Sequence, residues 1–407
     1  MNPCLYTSAP HQYAAFYDEN RQMTVMHRTL DSNTWTTQKL DEHVIWDSHN
    51  YIALAVDSEG QLHLSGNMHV SPLVYFRTET PHDITTLTRR TAMTGSEEVK
   101  VTYPKFFLDG AGELMFTYRD GGSGKGDQIF NRYVPKAKLW TRAMFRPLTD
   151  GEGARNAYFD DFQRGADGYL HLCWVWRETS DAATTNTLSH VRTKDFKTWE
   201  NAKGEKVTLP IRRGAPVEVD PVPQGGGILN TNTKLGFAPN GAPVIAYHKH
   251  DANGNTQVHV AGWNGSVWVI TPMTEYDYRW EFGGGGTLVG EIGVRRPTTG
   301  ADGTLSVQWN HKKFGTHRRL IDPTTFAALD EVPALSDGIP KELRQPGSTF
   351  PEMQVRFVWD SGTSPDPARK SLLRWECLPA NRDQPRGKPW PAPMMLRLYD
   401  LPAPELQ

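Results

Sequence analysis

Cysteine is scarce in this sequence. Three cysteines among 407 residues cannot form a disulfide framework, which excludes the small disulfide-stabilised classes of protein. No run of about 18 apolar residues occurs, so the sequence holds no candidate membrane-spanning helix. An excess of charge of one sign is also lacking: the formal net charge is −2, which gives no reason to expect nucleic acid or an anionic membrane as a partner. No segment shows sustained helical periodicity, so we expect an all-β fold.

Targeting and linker signals are missing as well. The N-terminal sequence MNPCLYTSAPHQYAAF has neither a basic segment nor an apolar core, so we expect a cytoplasmic protein as the sequence stands. A secreted or periplasmic protein is the alternative if the chain was trimmed before Met1. No Pro/Gly/Ser-rich linker divides the chain, which predicts one domain over residues 1–407. Cys173 and Cys377 lie in strand patterns, where we expect buried thiols.

A turn flanked by apolar, β-rich runs recurs along the chain. Asp57-Ser58-Glu59-Gly60 is one example, and its glycine is free to adopt positive φ. Comparable turns end at Gly112, Gly168, Gly241 and Gly303. They indicate about seven units, beginning near residues 10, 50, 100, 155, 230, 280 and 350. Repeats of this size with several short strands are typical of propeller blades, so we predict a seven-bladed β-propeller closed by its N- and C-terminal strands.

The hairpin around the first of these turns brings two histidines together. If positions 57 and 60 pair, antiparallel register places residue 49 opposite residue 68. His49 and His69 then meet at the end of the hairpin away from the turn, with Asn50 and Asn67 beside them. Two imidazoles and two amides at one strand end predict a site.

The same register, applied to the other turns, places more polar groups at the ends of the hairpins away from the turns. Tyr158 is expected opposite Val175, close to Arg177, and Thr102 opposite Arg119. The further groups that register places at these ends are Tyr103, Asn230, His248, Lys249 and Arg295. Because equivalent blade ends converge on one face of a propeller, we predict a pocket there for an anionic, hydroxyl-rich ligand such as a carboxylated sugar.

This set of side chains suits β-elimination next to a uronic acid. The reaction needs cations or hydrogen-bond donors at the carboxylate, a base for the C5 proton and an acid for the leaving O4. His49, His69, Tyr158 and Arg177 supply those groups. Glycoside hydrolysis usually needs two carboxyl groups about 5–9.5 Å apart, and register places only Glu291 at this end.

Cofactors and partners follow from the same residues. Elimination by these groups requires no cofactor. His248 and His250 share one face of a strand, so a structural metal ion bound by these two residues remains an alternative. The expected partner is a uronate-containing oligosaccharide or polysaccharide. We expect the protein to be a monomer or a small homo-oligomer.

Several segments resemble one known family. They are DSHNYIALAVDSEGQLHLSGNMHVSPLVYFR, VTYPKF, ELMFTYRDGGSGKG, RNAYFDDF, GYLHLCWVWRETSD and LRWECLPANRD. They resemble the BNR-repeat-like seven-bladed propeller family, which contains ulvan lyases and enzymes acting on rhamnosyl-glucuronate linkages. The resemblance implies a histidine and a tyrosine as acid–base groups and an arginine that neutralises the carboxylate. His49 or His69, Tyr158 and Arg177 match those positions.

The resemblance therefore implies a lyase that cleaves at a glucuronate or iduronate linked to rhamnose. Without a secretion signal, imported oligosaccharides are favoured over intact polymer as the substrate. One alternative is an α-L-rhamnosidase-type hydrolase, since related members act through a single histidine, which His49 could represent. Another is a glycan-binding propeller without turnover.

Overall fold

The computed structural model describes residues 3–405, which form strands and loops with only five short 3₁₀ helices. None of these helices is long or apolar enough to cross a membrane. The strands are β1 (Cys4–Ser8), β2 (His11–Tyr17), β3 (Gln22–Thr29), β4 (Thr36–His43), β5 (Ile52–Val56), β6 (Leu62–Gly66), β7 (His69–Ser71), β8 (Tyr75–Thr78), β9 (Leu87–Arg90), β10 (Val101–Leu108), β11 (Leu114–Gly122), β12 (Lys125–Val134), β13 (Leu139–Arg142), β14 (Asn156–Phe159), β15 (Gln163–Arg164), β16 (Leu170–Arg177), β17 (Thr185–Thr193), β18 (Trp199–Glu200), β19 (Glu218–Asp220), β20 (Lys234–Phe237), β21 (Pro243–His250), β22 (Thr256–Trp263), β23 (Trp268–Pro272), β24 (Ile292–Val294), β25 (Thr298–Thr299), β26 (Leu305–His311), β27 (Gly315–Ile321), β28 (Ala328–Val332), β29 (Gln354–Trp359), β30 (Arg369–Cys377) and β31 (Arg397–Pro402). The 3₁₀ helices are Ile84–Thr86, Pro135–Ala137, Ala182–Thr184, Asn230–Asn232 and Lys341–Arg344.

The strands form seven sheets that follow one another along the chain, and every pairing between strands is antiparallel. The first sheet holds β1–β4, the second β5, β6, β8 and β9, and the third β7 and β10–β13. The fourth holds β14–β19, the fifth β20–β23, the sixth β24–β28 and the seventh β29–β31. The prediction of an all-β fold is confirmed.

The first and last sheets are in contact. The amide of Thr7 in β1 donates to the carboxylate of Asp360, just after β29, over 2.9 Å. The amide of Ser361 donates to the carbonyl of Leu5 over 3.0 Å. Leu5 and Leu373 are buried in one apolar cluster that both sheets share. The two ends of the strand-forming chain are therefore joined by backbone hydrogen bonds and by a common core.

The turn glycines adopt the conformation expected from the sequence. Gly60, Gly112, Gly168, Gly241 and Gly303 all have φ between +79° and +85°. Each donates its amide to the carbonyl three residues earlier, which closes the turn. The register that these turns impose is also confirmed where the neighbouring segments are strands, since Tyr158 pairs with Val175 and Thr102 with Arg119.

Two turn glycines differ in the space beside them, which gives a test of the fold. A Cβ on Gly60 would lie 2.5 Å from Nε2 of His82, whose ring is stacked on His11 and hydrogen-bonded to Tyr13. A Cβ on Gly168 would meet nothing within 4 Å, although φ is almost the same. We expect each alanine variant to lose about 1 kcal/mol to backbone strain. We expect Gly60→Ala to lose a further 1–3 kcal/mol, roughly the cost of overpacking.

Urea denaturation of the two variants measures their loss in free energy of unfolding. Gly168→Ala is the matched control because it has the same backbone strain as Gly60→Ala but no contact with a neighbouring side chain. Equal losses in the two variants would mean that the His82 ring moves freely and that the packing around Gly60 is loose.

One cysteine differs from expectation. Cys173 in β16 is fully buried, and burial raises the pKa of its thiol. Cys377 lies at the end of β30 and is only partly buried, so the expectation of a buried thiol there is wrong. The strand ends at this residue, which leaves its side chain at the sheet margin.

Candidate active site

The imidazoles of His49 and His69 are stacked, with ring centroids 4.1 Å apart and planes tilted by 22°. Asp47 bridges the two rings. Its carboxylate accepts from Nδ1 of His49 over 2.7 Å and from Nδ1 of His69 over 2.6 Å. Burial alone would raise the pKa of Asp47, but the hydrogen bonds from both histidines outweigh it and hold the pKa well below its usual value. The carboxylate therefore fixes the orientation of both rings through their Nδ1 atoms.

The histidines meet for a different reason from the one the sequence predicts. The hairpin of β5 and β6 ends at the pair Ile52 and Gly66, before it reaches either histidine. His69 instead lies in β7, which leaves the second sheet and pairs with β10 of the third, opposite Thr102. Their contact was predicted correctly, but it forms across two sheets.

A distant segment fastens the loop that carries His49. Asp383 accepts from the amide of Ser48 over 2.9 Å and from the amide of Thr287 over 3.0 Å. Its carboxylate also lies 3.6 Å from Nδ1 of His49. The loops before β5, before β24 and after β30 are thereby tied together beside the histidine pair.

Tyr103 links the histidines to the next group of side chains. The pairing of β10 with β11 shifts between Thr102 and Lys105, and Tyr103 in this bulge has φ of +60°. A bulge redirects a side chain from the regular alternation of a strand. The Tyr103 ring consequently lies 5.7 Å from the His49 ring and 6.0 Å from the Tyr158 ring.

Tyr158 is buried in β14 and surrounded by hydrogen-bonding and cationic groups. Its hydroxyl lies 2.7 Å from the hydroxyl of Ser123 and 3.4 Å from Nη1 of Arg177. The Arg177 guanidinium lies over the Tyr158 ring at 4.4 Å, and that of Arg119 at 5.9 Å. Burial alone would raise the pKa of Tyr158, but Arg177 and then Arg119 outweigh it and lower the pKa below its usual value.

Arg119 and Arg177 differ in their partners. Arg177 donates from Nε to Thr185 over 3.0 Å and from Nη2 to the amide oxygen of Asn230 over 2.7 Å. Arg119 is 2% exposed and donates only Nε, to the carbonyl of Gly121. Its Nη1 and Nη2 are buried without a protein partner. A buried cation with no carboxylate partner is costly, and aromatic faces offset only part of that cost.

Neighbouring tyrosines are thus placed in opposite electrostatic environments. Burial is the largest influence on Tyr103 and raises the pKa of its hydroxyl, although Arg119 lies 4.9 Å from its ring. The pKa of Tyr158 is lowered instead. Pairs of titratable groups with pKa values pushed apart are characteristic of acid–base sites.

Some predicted binding residues lie near this cluster. Asn50, next to His49, is buried, and its side-chain oxygen has no protein partner. Asn230 receives the Arg177 hydrogen bond, but it lies in a 3₁₀ helix and not at the end of a paired strand, where register placed it. The chain leaves the strand before it reaches this residue.

Other predicted residues do not join the cluster. The amide of Asn67 turns to the His43 carbonyl and the Glu42 carboxylate. Lys249 forms an ion pair with Asp220 over 2.6 Å. His248 is fully buried with its ring against Trp280, and burial lowers its pKa to about 3.

Arg295 is also separate. It follows β24 on the side away from the pair Ile292 and His311, and it lines another cavity with Gln308 and Trp309. The prediction that it shares a pocket with Tyr158 is wrong, because three residues of extended chain carry it towards the other end of the sheet.

A cavity of about 450 Å³ opens beside the tyrosines. Its lining includes Tyr103, Tyr158 and Asn230, together with the exposed ion pair of Lys105 and Asp161. This volume is within the range of about 300–1,000 Å³ that small-molecule sites occupy.

Within residues 3–405, one group of three side chains has the composition and spacing of a metal site. It consists of Asp47, His49 and His69, whose potential ligand atoms lie within 4.8 Å of one another. The Asp47 carboxylate already accepts a hydrogen bond from each Nδ1, as expected of an acid–base pair. His248 and His250 belong to no such group among the described residues.

Sequence reasoning missed three members of the site: Asp47, Ser123 and Asp383. Asp47 carried a local signal, since an aspartate can accept from the amide two residues later, as it does from His49 over 2.9 Å. Ser123 and Asp383 carried none, because their contacts with Tyr158 and Ser48 arise only when separate sheets and loops come together.

Residues 11–276 match a family described as BNR repeat-containing family member. The chain belongs to this family. The match covers more than half of the sequence and includes every residue described around His49 and Tyr158, except Thr287 and Asp383. The family resemblance read from the sequence is confirmed.

Ulvan lyases are among the curated relatives of this BNR repeat protein. The long isoform from an Alteromonas species is 24% identical in an alignment 264 positions long, which covers 51% of this chain and 26% of that protein. The short isoform from Alteromonas sp. strain LOR is 26% identical in an alignment 183 positions long, which covers 41% of this chain and 33% of that protein. The match thus spans only about a quarter to a third of the relatives' length.

Solved structures show the same fold. An ulvan lyase of a new polysaccharide lyase family superposes with a TM-score of 0.65 at 12% identity, covering 98% of this chain and 92% of that one. Another structure of such an ulvan lyase, bound to a unit of glucuronic acid and sulfated rhamnose, gives a TM-score of 0.64 at 12% identity with the same coverage. At this identity the similarity establishes the fold.

Proposed function

We propose that this BNR repeat protein is a polysaccharide lyase that cleaves by β-elimination at a glucuronate or iduronate linked to rhamnose. The observation that carries the proposal is the placement of Tyr158 between two guanidinium groups, beside a histidine pair held by one carboxylate. Named ulvan lyases among its relatives and structural neighbours support the same reaction class.

The elimination has a simple balance of bonds. The C5–H bond and the C4–O4 bond break, a C4=C5 double bond forms, and one proton passes from C5 to the protein while another passes to O4. Negative charge develops on the uronate carboxylate as C5 loses its proton, so a nearby cation lowers the barrier. Arg177 and Arg119 supply that positive charge next to Tyr158.

We assign the base to the histidine pair and the acid to Tyr158. A neutral imidazole that donates Nδ1–H to Asp47 keeps a lone pair on Nε2, which can accept the C5 proton. A phenol whose pKa is lowered gives up its proton more readily, which suits protonation of O4. The reacting sugar would bind next to Tyr103 and Tyr158, which also line the neighbouring cavity.

The reaction as proposed uses these side chains and no cofactor. We also propose that the seven sheets are the blades of one propeller domain spanning residues 1–407. The contacts of β1 with the segment after β29 would close its ring. The expected assembly is a monomer or a small homo-oligomer.

Product analysis tests the proposal. Incubation with glucuronate–rhamnose oligosaccharides and with ulvan should produce the ultraviolet absorbance of an unsaturated uronate. Free rhamnose without that absorbance would instead identify an α-L-rhamnosidase-type hydrolase. Sugar binding without consumption of any substrate in a broad panel would identify a glycan-binding protein.

Asp47 provides a test of how the histidines are held. We expect Asp47→Asn to lower kcat by about 10- to 100-fold, less than the whole contribution of a positioned acid–base group, because both imidazoles remain. The side-chain amide of the variant has only one acceptor oxygen, so it can accept a hydrogen bond well from only one of the two histidine Nδ1–H groups. Asp18→Asn is the control, since Asp18 pairs with Lys39 on the first sheet. Unchanged kcat in Asp47→Asn would remove the histidine pair from the mechanism.

A further inference from the structure

A second polar groove lies between the fourth and fifth sheets, at the ends of the strands that carry the turns. Its volume is about 510 Å³, and the turns ending at Gly168 and Gly241 border it. His171 in this groove and Arg177 in the candidate active site are six residues apart on β16. At about 3.3 Å per residue, the two sites are roughly 20 Å apart, at opposite ends of one strand.

The groove is lined by two histidines whose hydrogen bonds have a fixed direction. Nε2 of His171 lies 3.3 Å from the carboxylate of Asp167, which can only accept, so His171 donates there. Nδ1 of His171 then accepts from Nε2–H of His190 over 3.1 Å. Burial lowers the pKa of both histidines, which keeps both rings neutral.

This chain of hydrogen bonds leaves one acceptor unused. His190 is 1% exposed, and its Nδ1 has no protein partner. Buried polar atoms in folded proteins are almost always hydrogen-bonded, and an unmade bond costs about 1–3 kcal/mol. His190 lines the groove, so a ligand that brings an O–H donor is suited to its unused acceptor.

The charges of the groove show which kind of donor fits. Arg192 donates to Asp167 over 3.2 Å and to Glu200 over 3.0 Å, so one cation faces two carboxylates. No positive charge is left over for an anionic ligand. Trp263, which is half-buried, adds an aromatic surface to the same groove. Aromatic faces and hydroxyl acceptors together fit a neutral sugar.

We propose that this groove is a second carbohydrate-binding site, taking a neutral, hydroxyl-bearing sugar residue on the face opposite the candidate active site. A sugar hydroxyl donates to Nδ1 of His190, and the sugar ring lies against Trp263. Such a site would hold a second stretch of a glycan chain while another stretch occupies the first site. It does not depend on the lyase reaction proposed above.

Saturation-transfer difference NMR tests the proposal, with the methyl glycosides of L-rhamnose, D-xylose and D-glucose as neutral probes and glucuronate as the anionic one. We expect at least one neutral glycoside to give a signal with the wild-type protein. The signal should persist in Arg177→Gln, which alters only the first site. It should be lost in Trp263→Ala.

Ala166→Arg provides a second groove variant, because Ala166 is an exposed turn residue that lines the groove and tolerates substitution without loss of core packing. It should also abolish the signal. If Trp263→Ala does not fold, Ala166→Arg serves as the test of whether the sugar binds in the groove. The proposal is overturned if no neutral glycoside gives a signal, if the signal survives in a folded groove variant, or if it disappears in Arg177→Gln. A stronger groove-dependent signal from glucuronate would overturn the assignment to a neutral sugar. The lyase assay is a separate measurement, so either proposal can fail alone.

Discussion

Tyr158→Phe will lower kcat for elimination by about 10²–10⁴-fold, the contribution of a positioned acid–base group. The variant loses only the hydroxyl, which in the wild type contacts Ser123 and Arg177, and it keeps the ring that packs in the core. We therefore expect the thermal stability to change far less than the rate. Product formation followed by ultraviolet absorbance, together with a thermal melt, measures both effects.

Tyr169→Phe is the matched control for this experiment. Tyr169 precedes β16 at the turn end, and its hydroxyl contacts Glu200, so the same atom is removed far from the candidate active site. We expect its kcat to equal that of the wild type. If Tyr158→Phe also retained full activity, the acid would have to be another group.

Arg177→Gln will lower kcat/KM by about 10²–10³-fold, comparable to the loss of one donor that stabilises developing negative charge. It will also change the pH dependence. Arg177 is the main cation that lowers the pKa of Tyr158, so the pKa rises in the variant. If Tyr158 acts as the acid, activity is lost as the pH rises through this pKa, and the alkaline limb of the rate profile must move to higher pH.

The same variant separates the two possible roles of Tyr158. If Tyr158 were the base, its phenolate would be the active form, and the acid limb would move to higher pH instead. Arg155→Gln is the control for charge, since Arg155 pairs with Glu152 and Glu178 and also removes one cation near β14. A pH profile unchanged in Arg177→Gln would contradict any coupling between Arg177 and Tyr158.

Most of the strand pairing could be predicted from the sequence, because it depends on local chemistry. A glycine with positive φ closes each turn, and the turn sets the register of the strands next to it. That reasoning placed Tyr158 opposite Val175 and Thr102 opposite Arg119 correctly. It failed for His69 and Asn230, where the chain leaves the hairpin and turns alone no longer determine the neighbours.

The candidate site was only partly predictable for the same reason. Register identified Tyr158 and Arg177 as neighbours because they share one pair of strands. It could not identify Asp383, which reaches the His49 loop from the far end of the sequence. Nor could it exclude His248, whose ring is fully buried against Trp280.

The sequence by itself determined the all-β fold, the turns and the residue types available for acid–base chemistry, because these follow from backbone preferences and from side chains close together in the chain. The tertiary structure decided which of those residues act together. Protonation and binding depend on the charges within a few ångströms of a group, and the neighbours of Tyr158 and of the His49–His69 pair come from several sheets. The lowered pKa of Tyr158 and the unpartnered guanidinium nitrogens of Arg119 therefore arise only in the folded protein.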